Sequence, residues 1–171
     1  MTKVFKLLYF ISSLLVITVI GFIPLQEALV FEPKQMKQDF VYLPLKNDSP
    51  FQIKYTHSIH LSDVVESYQV TSDMKIKQYE LMYEDFSIGM PSNAEGDEIF
   101  EQKDGKYYIS NMNRILPNFI LRTGQVRANH RVIYEEVEYP LARFIKPGTS
   151  VKVEIQNLNL FQLWKGVNIL E

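Results

Sequence analysis

His57 and Glu66 are the pair whose types and spacing could do chemistry. The segment Phe51-Gln52-Ile53-Lys54-Tyr55-Thr56-His57-Ser58 alternates apolar and polar, and strand side chains change face at every residue. Phe51, Ile53, Tyr55 and His57 therefore share an inward face. In the following stretch Val64, Glu66, Tyr68 and Val70 share the more apolar face. A hairpin over residues 59–63 pairs His57 with Glu66, or with Val64 after a two-residue slide. Either register leaves the two polar side chains inward and adjacent, and a one-residue slip would expose an apolar set. A buried carboxylate needs a partner, and His57 offers a charge-assisted hydrogen bond. Such a pair has three uses. It lines a ligand pocket, or it makes His57 a general base oriented by Glu66, or it only fixes the register. In the last case Glu66→Gln lowers stability and nothing else.

Other chemistries have less support. A zinc site would need His57, His60 or His130 to converge with Glu66 across strands, and no ligand spacing specifies one. No metal or cofactor is expected. Ser58 adjoins His57 but faces the other way on a strand, so it is a poor nucleophile for it. The chain has no Gly-x-Ser-x-Gly elbow and no phosphate loop. All five arginines, Arg114, Arg122, Arg127, Arg131 and Arg143, lie in the later half with His130. Arg binds planar carboxylates bidentately, which makes Arg122 and His130 a candidate anion site; solvated surface charges are the plainer alternative. Residues 87–96 form the longest irregular loop, and long loops often carry function.

The elements that must position these residues read as strands. Dense aromatic and β-branched residues alternate between turn clusters, giving strands near 39–45, 51–58, 64–72, 74–84, 97–102, 106–112, 118–123, 131–138, 150–156 and 158–164. Lys103-Asp104-Gly105-Lys106 predicts a hairpin turn, and Lys146-Pro147-Gly148-Thr149 a type II turn. No helical period appears beyond the N-terminus. The expected fold is all-β, an antiparallel β-sandwich or barrel of about 8–10 short strands.

Ahead of these strands, residues 7–23 form an uncharged apolar run after Lys3 and Lys6. Its length suits a short transmembrane helix better than a cleaved signal, and no small-x-small cut site follows. The flanking lysines place the N-terminus in the cytoplasm and the rest outside it. The expected organisation is an anchor over residues 1–23, a stalk over 24–38 and an extracytoplasmic β-domain over 39–171, in a single-pass protein of the cell membrane. Of the 18 Lys and Arg, Lys3 and Lys6 precede the apolar run, whereas all 20 acids follow it. The remainder is net acidic, which is no nucleic-acid footprint. The absence of cysteine removes disulfides, thiol catalysis and Cys-ligated zinc.

At Tyr55-Thr56-His57-Ser58-Ile59 with Glu66, then Gly89-Met90-Pro91, then Arg122 and Asn129-His130, the chain resembles the domain of unknown function 1850 family over about residues 40–156. The resemblance implies a small extracytoplasmic protein or domain associated with tripartite TRAP transporters of the TAXI type, which import organic acids and amino acids. It implies that His57, Ser58, Glu66, Gly89, Met90, Pro91 and His130 belong to a shared pattern, and it implies no reaction. The family often has a second Gly where this chain has Ser87. The expected role is a membrane-anchored accessory or ligand-binding module. The partners the resemblance implies are membrane transporter subunits, and the ligand it implies is a small organic acid. His57 and Glu66 would shape a pocket beneath the hairpin, with the Gly89–Pro91 loop at its mouth; Tyr55, Ser58, Arg122 and His130 are further ligand-binding candidates. The alternatives are a hydrolase built on His57 and Glu66, and a structural envelope protein.

Overall fold

The apolar run is helical: α1 spans Lys3–Gly21, is long and apolar enough to cross a membrane, and is not buried against the described residues. The computed structural model describes residues 3–34, 40–46, 49–85 and 90–171. Strand β1, Pro24–Pro33, follows α1 after only Phe22 and Ile23.

This is the first departure from the sequence expectation. The stretch predicted to be a stalk holds β1, which lies in the middle of a sheet, paired with β2 (Val41–Pro44) and β12 (Ser150–Asn159). Residues 35–38 of that expected stalk lie outside the described residues. Ala28, Leu29, Val30 and Phe31 are all buried. A strand covered on both faces reads as an unbroken apolar run rather than an alternation. In this short one, charges at both ends hide the pattern.

The remaining strands are β3 (Phe51–Thr56), β4 (Asp63–Val70), β5 (Ile76–Tyr83), β6 (Ile99–Lys103), β7 (Lys106–Ser110), β8 (Arg114–Leu116), β9 (Asn118–Arg122), β10 (Arg131–Tyr134), β11 (Val137–Pro140) and β13 (Val167–Asn168). One sheet has the order β13-β2-β1-β12-β9 and the other β11-β10-β3-β4-β5-β7-β6, with β8 beside β5. Among the described residues all pairings are antiparallel except β13 with β2. The sheets face each other over a core that includes Leu29, Phe31, Leu43, Phe51, Ile53, Tyr68, Val132, Val151 and Val153. The fold is a sandwich. Asp104 and Gly105 both take positive φ at the predicted hairpin turn, and Gly148 does so at the predicted type II turn.

Two other expectations change. The strand predicted over 131–138 is a hairpin, because Glu135 and Glu136 at φ 48 and 66 make the tight turn usually given to Asn-Gly. The strand predicted over 158–164 ends at Asn159, where α2 (Leu160–Lys165) begins. Asn159 and Gln162 bond each other's backbone N–H groups reciprocally, a capping box that starts a helix. Leu163 of α2 packs on the outer face of the first sheet with Ala28, Val30, Tyr42 and Leu158.

Register fixes which end of the sandwich is which. Pro24 pairs with Asn159, and Pro33 with Val151, so β1 runs away from α1 and β12 returns. Ser150 pairs with Arg122. The loop after β9 therefore lies at the end remote from α1, about 30 Å away along a ten-residue strand. In the second sheet Tyr134 receives the Lys46 N–H at the near end, and Thr56 donates to Ala128 O at the far end. The β3–β4 and β9–β10 loops thus share the remote end.

Candidate functional site

The β3–β4 hairpin forms, but not in either expected register. Ile53 lies opposite Glu66, Tyr55 opposite Val64 and Thr56 opposite Asp63. The turn is tighter than expected, closed by His57 N–H to Ser62 O at 2.8 Å and Leu61 N–H to His57 O at 3.0 Å. His57 therefore lies beyond the ladder, four residues from the row of Glu66, or roughly 13 Å along the strand. The expected His57–Glu66 pair does not exist. The inward set was read correctly, since Phe51 and Ile53 are buried, but alternation alone specifies a face and leaves even-numbered slides open.

Each partner has other company. The Tyr68 hydroxyl donates to Glu66 Oε2 at 2.9 Å, and Tyr68 is stacked between Phe51 and Phe119 at 5.4 and 5.6 Å. Burial raises the Glu66 pKa, and the Tyr68 hydrogen bond only partly opposes it. Among the described residues no cation forms an ion pair with Glu66. Burial, then the nearby Glu66 charge, pushes Tyr55 up to about 12. His57 stands beside His60 with ring centres 5.9 Å apart. Its Nδ1 is buried with no hydrogen-bond partner among the described residues. Ser58 is exposed, and no cluster of three metal-ligating side chains occurs among the described residues.

His130 is the predicted residue that lies in a cavity. Its ring is buried, stacks on Tyr55 at 5.3 Å and accepts the Gly124 N–H on Nδ1 at 3.4 Å. That bond places the proton of the neutral ring on Nε2. Burial lowers the His130 pKa, so the imidazole stays neutral at physiological pH. In front of it lies a cavity of about 360 Å³ between the loop of residues 124–129 and the segment 141–147. Thr123, Gln125, Arg127 and Asn129 bring polar atoms to its wall; Leu141 and Ile145 are part of its apolar side. Among the described residues Arg127 is the one charged residue lining it, and no acid does. Arg127 makes no ion pair among the described residues.

Two close approaches shape the walls. A Cβ on Gly124 would lie 2.5 Å from Ala128 Cβ, so only glycine lets that loop fold back on itself. Gly148 takes φ +85, and a Cβ there would lie 2.6 Å from Gln125 Cγ. The Thr123 hydroxyl ties the end of β9 to Thr149 O at 2.9 Å.

The other predicted site residues are not brought together here. Arg122 is exposed on β9 and does not line the cavity; Arg127 takes the place expected of it. Met90 packs on a second apolar cluster of Val64, Leu81, Tyr83, Ile109 and Met112, as does Tyr55. The Pro91 carbonyl accepts a hydrogen bond from the Tyr83 hydroxyl. The Met90–Pro91 segment therefore covers a core rather than a mouth. Gly89 and Ser87 lie outside the described residues. Sequence reasoning missed Arg127, Gln125 and Asn129, although a Gly-containing loop with an Arg, ending at His130, joined two predicted strands.

The model of the family "domain of unknown function (DUF1850)" matches residues 51–141. The chain belongs to this family. The DUF1850 segment begins with β3 and ends at Leu141. It therefore holds the hairpin, the loop of residues 124–129 and His130, and leaves β1, β2, β12 and α2 outside it. No curated protein and no solved structure matches the chain.

Proposed function

We propose that this protein is a membrane-anchored ligand-binding module whose remote cavity takes a small organic acid. The observation that carries the reading is the charge of the lining: among the described residues, one arginine, a neutral histidine, polar side chains and no acid. A guanidinium pairs a carboxylate bidentately. The neutral His130 ring, with its proton on Nε2, is a hydrogen-bond donor, not a base. A volume of about 360 Å³ lies within the usual range for small-molecule sites, roughly 300–1,000 Å³. The apolar wall suits a short hydrocarbon chain on the acid.

The anchor is α1, with Lys3 and Lys6 on the cytoplasmic side and the sandwich outside. The transporter association implied by the family resemblance fits this arrangement. An integral membrane subunit would meet the end near α1, and solute would reach the remote end from the aqueous side. A hydrolase built on His57 and Glu66 has no support, since the register separates the two residues.

The test is calorimetric titration of the full chain in lipid nanodiscs with short mono- and dicarboxylates and amino acids. Binding that weakens at least tenfold in Arg127→Ala, with the unfolding transition unchanged, supports the reading. No carboxylate binding, or full binding by Arg127→Ala, contradicts it. Co-purification of transporter subunits from native membranes tests the partner.

A further inference from the structure

The cavity lies at one end of the sandwich; a run of exposed aromatic and aliphatic side chains lies at the other. The face of α2 away from the sheet presents Leu160, Phe161 and Trp164, exposed by 48, 52 and 82%. Phe161 packs against Trp164 with ring centres 6.2 Å apart, and against Phe22 at 6.3 Å. Phe22, Ile23 and Leu25 continue the patch, all exposed, directly from the last residue of α1. Water-facing surfaces rarely hold so many contiguous large apolar side chains.

These residues are held outward. The capping box fixes the start of α2. At its end a Cβ on Gly166 would lie 2.6 Å from the Phe40 ring and 2.8 Å from Tyr42, so the helix rests hard against the sheet. With Leu163 already turned inward, Phe161 and Trp164 cannot also turn toward the core.

We propose that this patch is a second membrane contact, in which Phe22, Leu25, Leu160, Phe161 and Trp164 sit in the interface of the bilayer that α1 spans. The proposal rests on the anchoring reading. Continuity argues for lipid over a protein partner. Phe22 immediately follows α1, and its ring touches Phe161, so the patch is at interfacial depth before any partner arrives. Trp is enriched where an amphipathic ring meets the headgroup boundary, and Lys165 follows Trp164 at the helix end. Two contacts fix the tilt of the domain where one helix would leave it free to swing.

Trp164 is the only tryptophan in the chain, so its fluorescence reports the patch alone. The full chain is reconstituted into phosphatidylcholine–phosphatidylglycerol vesicles, floated on a density gradient, and titrated with iodide or prepared with lipids brominated at defined acyl depths. The expected result is flotation, iodide quenching reduced several-fold against free tryptophan amide, and strongest quenching by the shallowest bromines. Leu160→Ser with Phe161→Ser, its unfolding transition kept, should restore iodide access and shift emission to the red. Failure to float overturns both the anchor and the contact. Flotation with Trp164 open to iodide overturns the contact and leaves the anchor standing. Shielding from iodide without bromine quenching means a second copy covers the patch, and overturns the lipid contact as well.

Discussion

The two ends of the sandwich are built to opposite specifications. At the end joined to α1, aromatic side chains are packed outward on a helix that two features hold in place, the Asn159 cap and the Gly166 approach. The cleft there carries Glu27, Lys46 and Glu135, with Lys46 paired to Glu135 at 2.6 Å. At the remote end the loops mix polar residues with exposed Ile59, Leu61 and Val126, close glycine approaches shape the cavity wall, and Arg127 lines it with no ion pair among the described residues. One end suits a surface that accepts apolar rings; the other suits a solute that brings its own negative charge. About 30 Å of β1 separates them. A solute in the cavity and a bilayer at the α1 end would therefore not compete for one surface, and changes at one end should leave the other end's readout alone.

The largest effect should come from the strand that joins the ends. Phe31→Ala empties a fully buried site and should cost about 3–5 kcal/mol, read from the urea midpoint. A spacer outside the core would show almost no change. Next come the two glycines. Gly166→Ala drives a methyl into Phe40 and should cost about 1–3 kcal/mol by overpacking, with Trp164 emission altered and carboxylate affinity kept. Gly124→Ala forces the same kind of clash against Ala128 and should do the reverse, weakening carboxylate binding while Trp164 emission stays as it was. If both glycines moved both readouts, the ends would be coupled and the comparison would fail. Asn159→Ala removes the α2 cap and should cost about 1 kcal/mol in thermal unfolding.

The smallest effects are in pH. Burial holds His130 below its ordinary 6.5. Its neutral form is favoured in the fold, so stability should fall as pH drops from 6.5 through the folded value. Glu66 is held above its ordinary 4.5. Its contribution is complete below 4.5 and is lost as pH rises through the folded value. Glu66→Gln keeps an acceptor for the Tyr68 hydroxyl and removes the charge. It should stabilise the fold slightly near neutral pH, with the gain vanishing toward pH 4.5 in denaturation series. This is the opposite sign to that expected of a paired Glu66.

Sequence pattern carried much of the fold and little of the site, for identifiable reasons. Period-two alternation in residues 51–58 and 64–71 placed the inward faces of β3 and β4, and Asp104-Gly105 placed a turn. Alternation cannot choose among registers that differ by two residues, and that ambiguity created the His57–Glu66 pair. Strand β1 was hidden because both of its faces are covered, the outer one in part by Leu163 of α2. The Glu135-Glu136 turn uses residues without a turn signature. The strand reading over 158–164 overlooked the Asn159–Gln162 capping box, because a six-residue helix leaves no hydrophobic period to point to it. The cavity depends on Gly124 lying against Ala128, a contact made by the fold of a loop and not by any motif.

The most direct test of the division between the ends is one calorimetric series in nanodiscs with a single carboxylate that binds the full chain. Arg127→Ala and Trp164→Ala are compared with the unaltered protein. The account predicts at least a tenfold loss of affinity for Arg127→Ala and no change for Trp164→Ala. Unchanged affinity in Arg127→Ala, or an equal loss in Trp164→Ala, would contradict it.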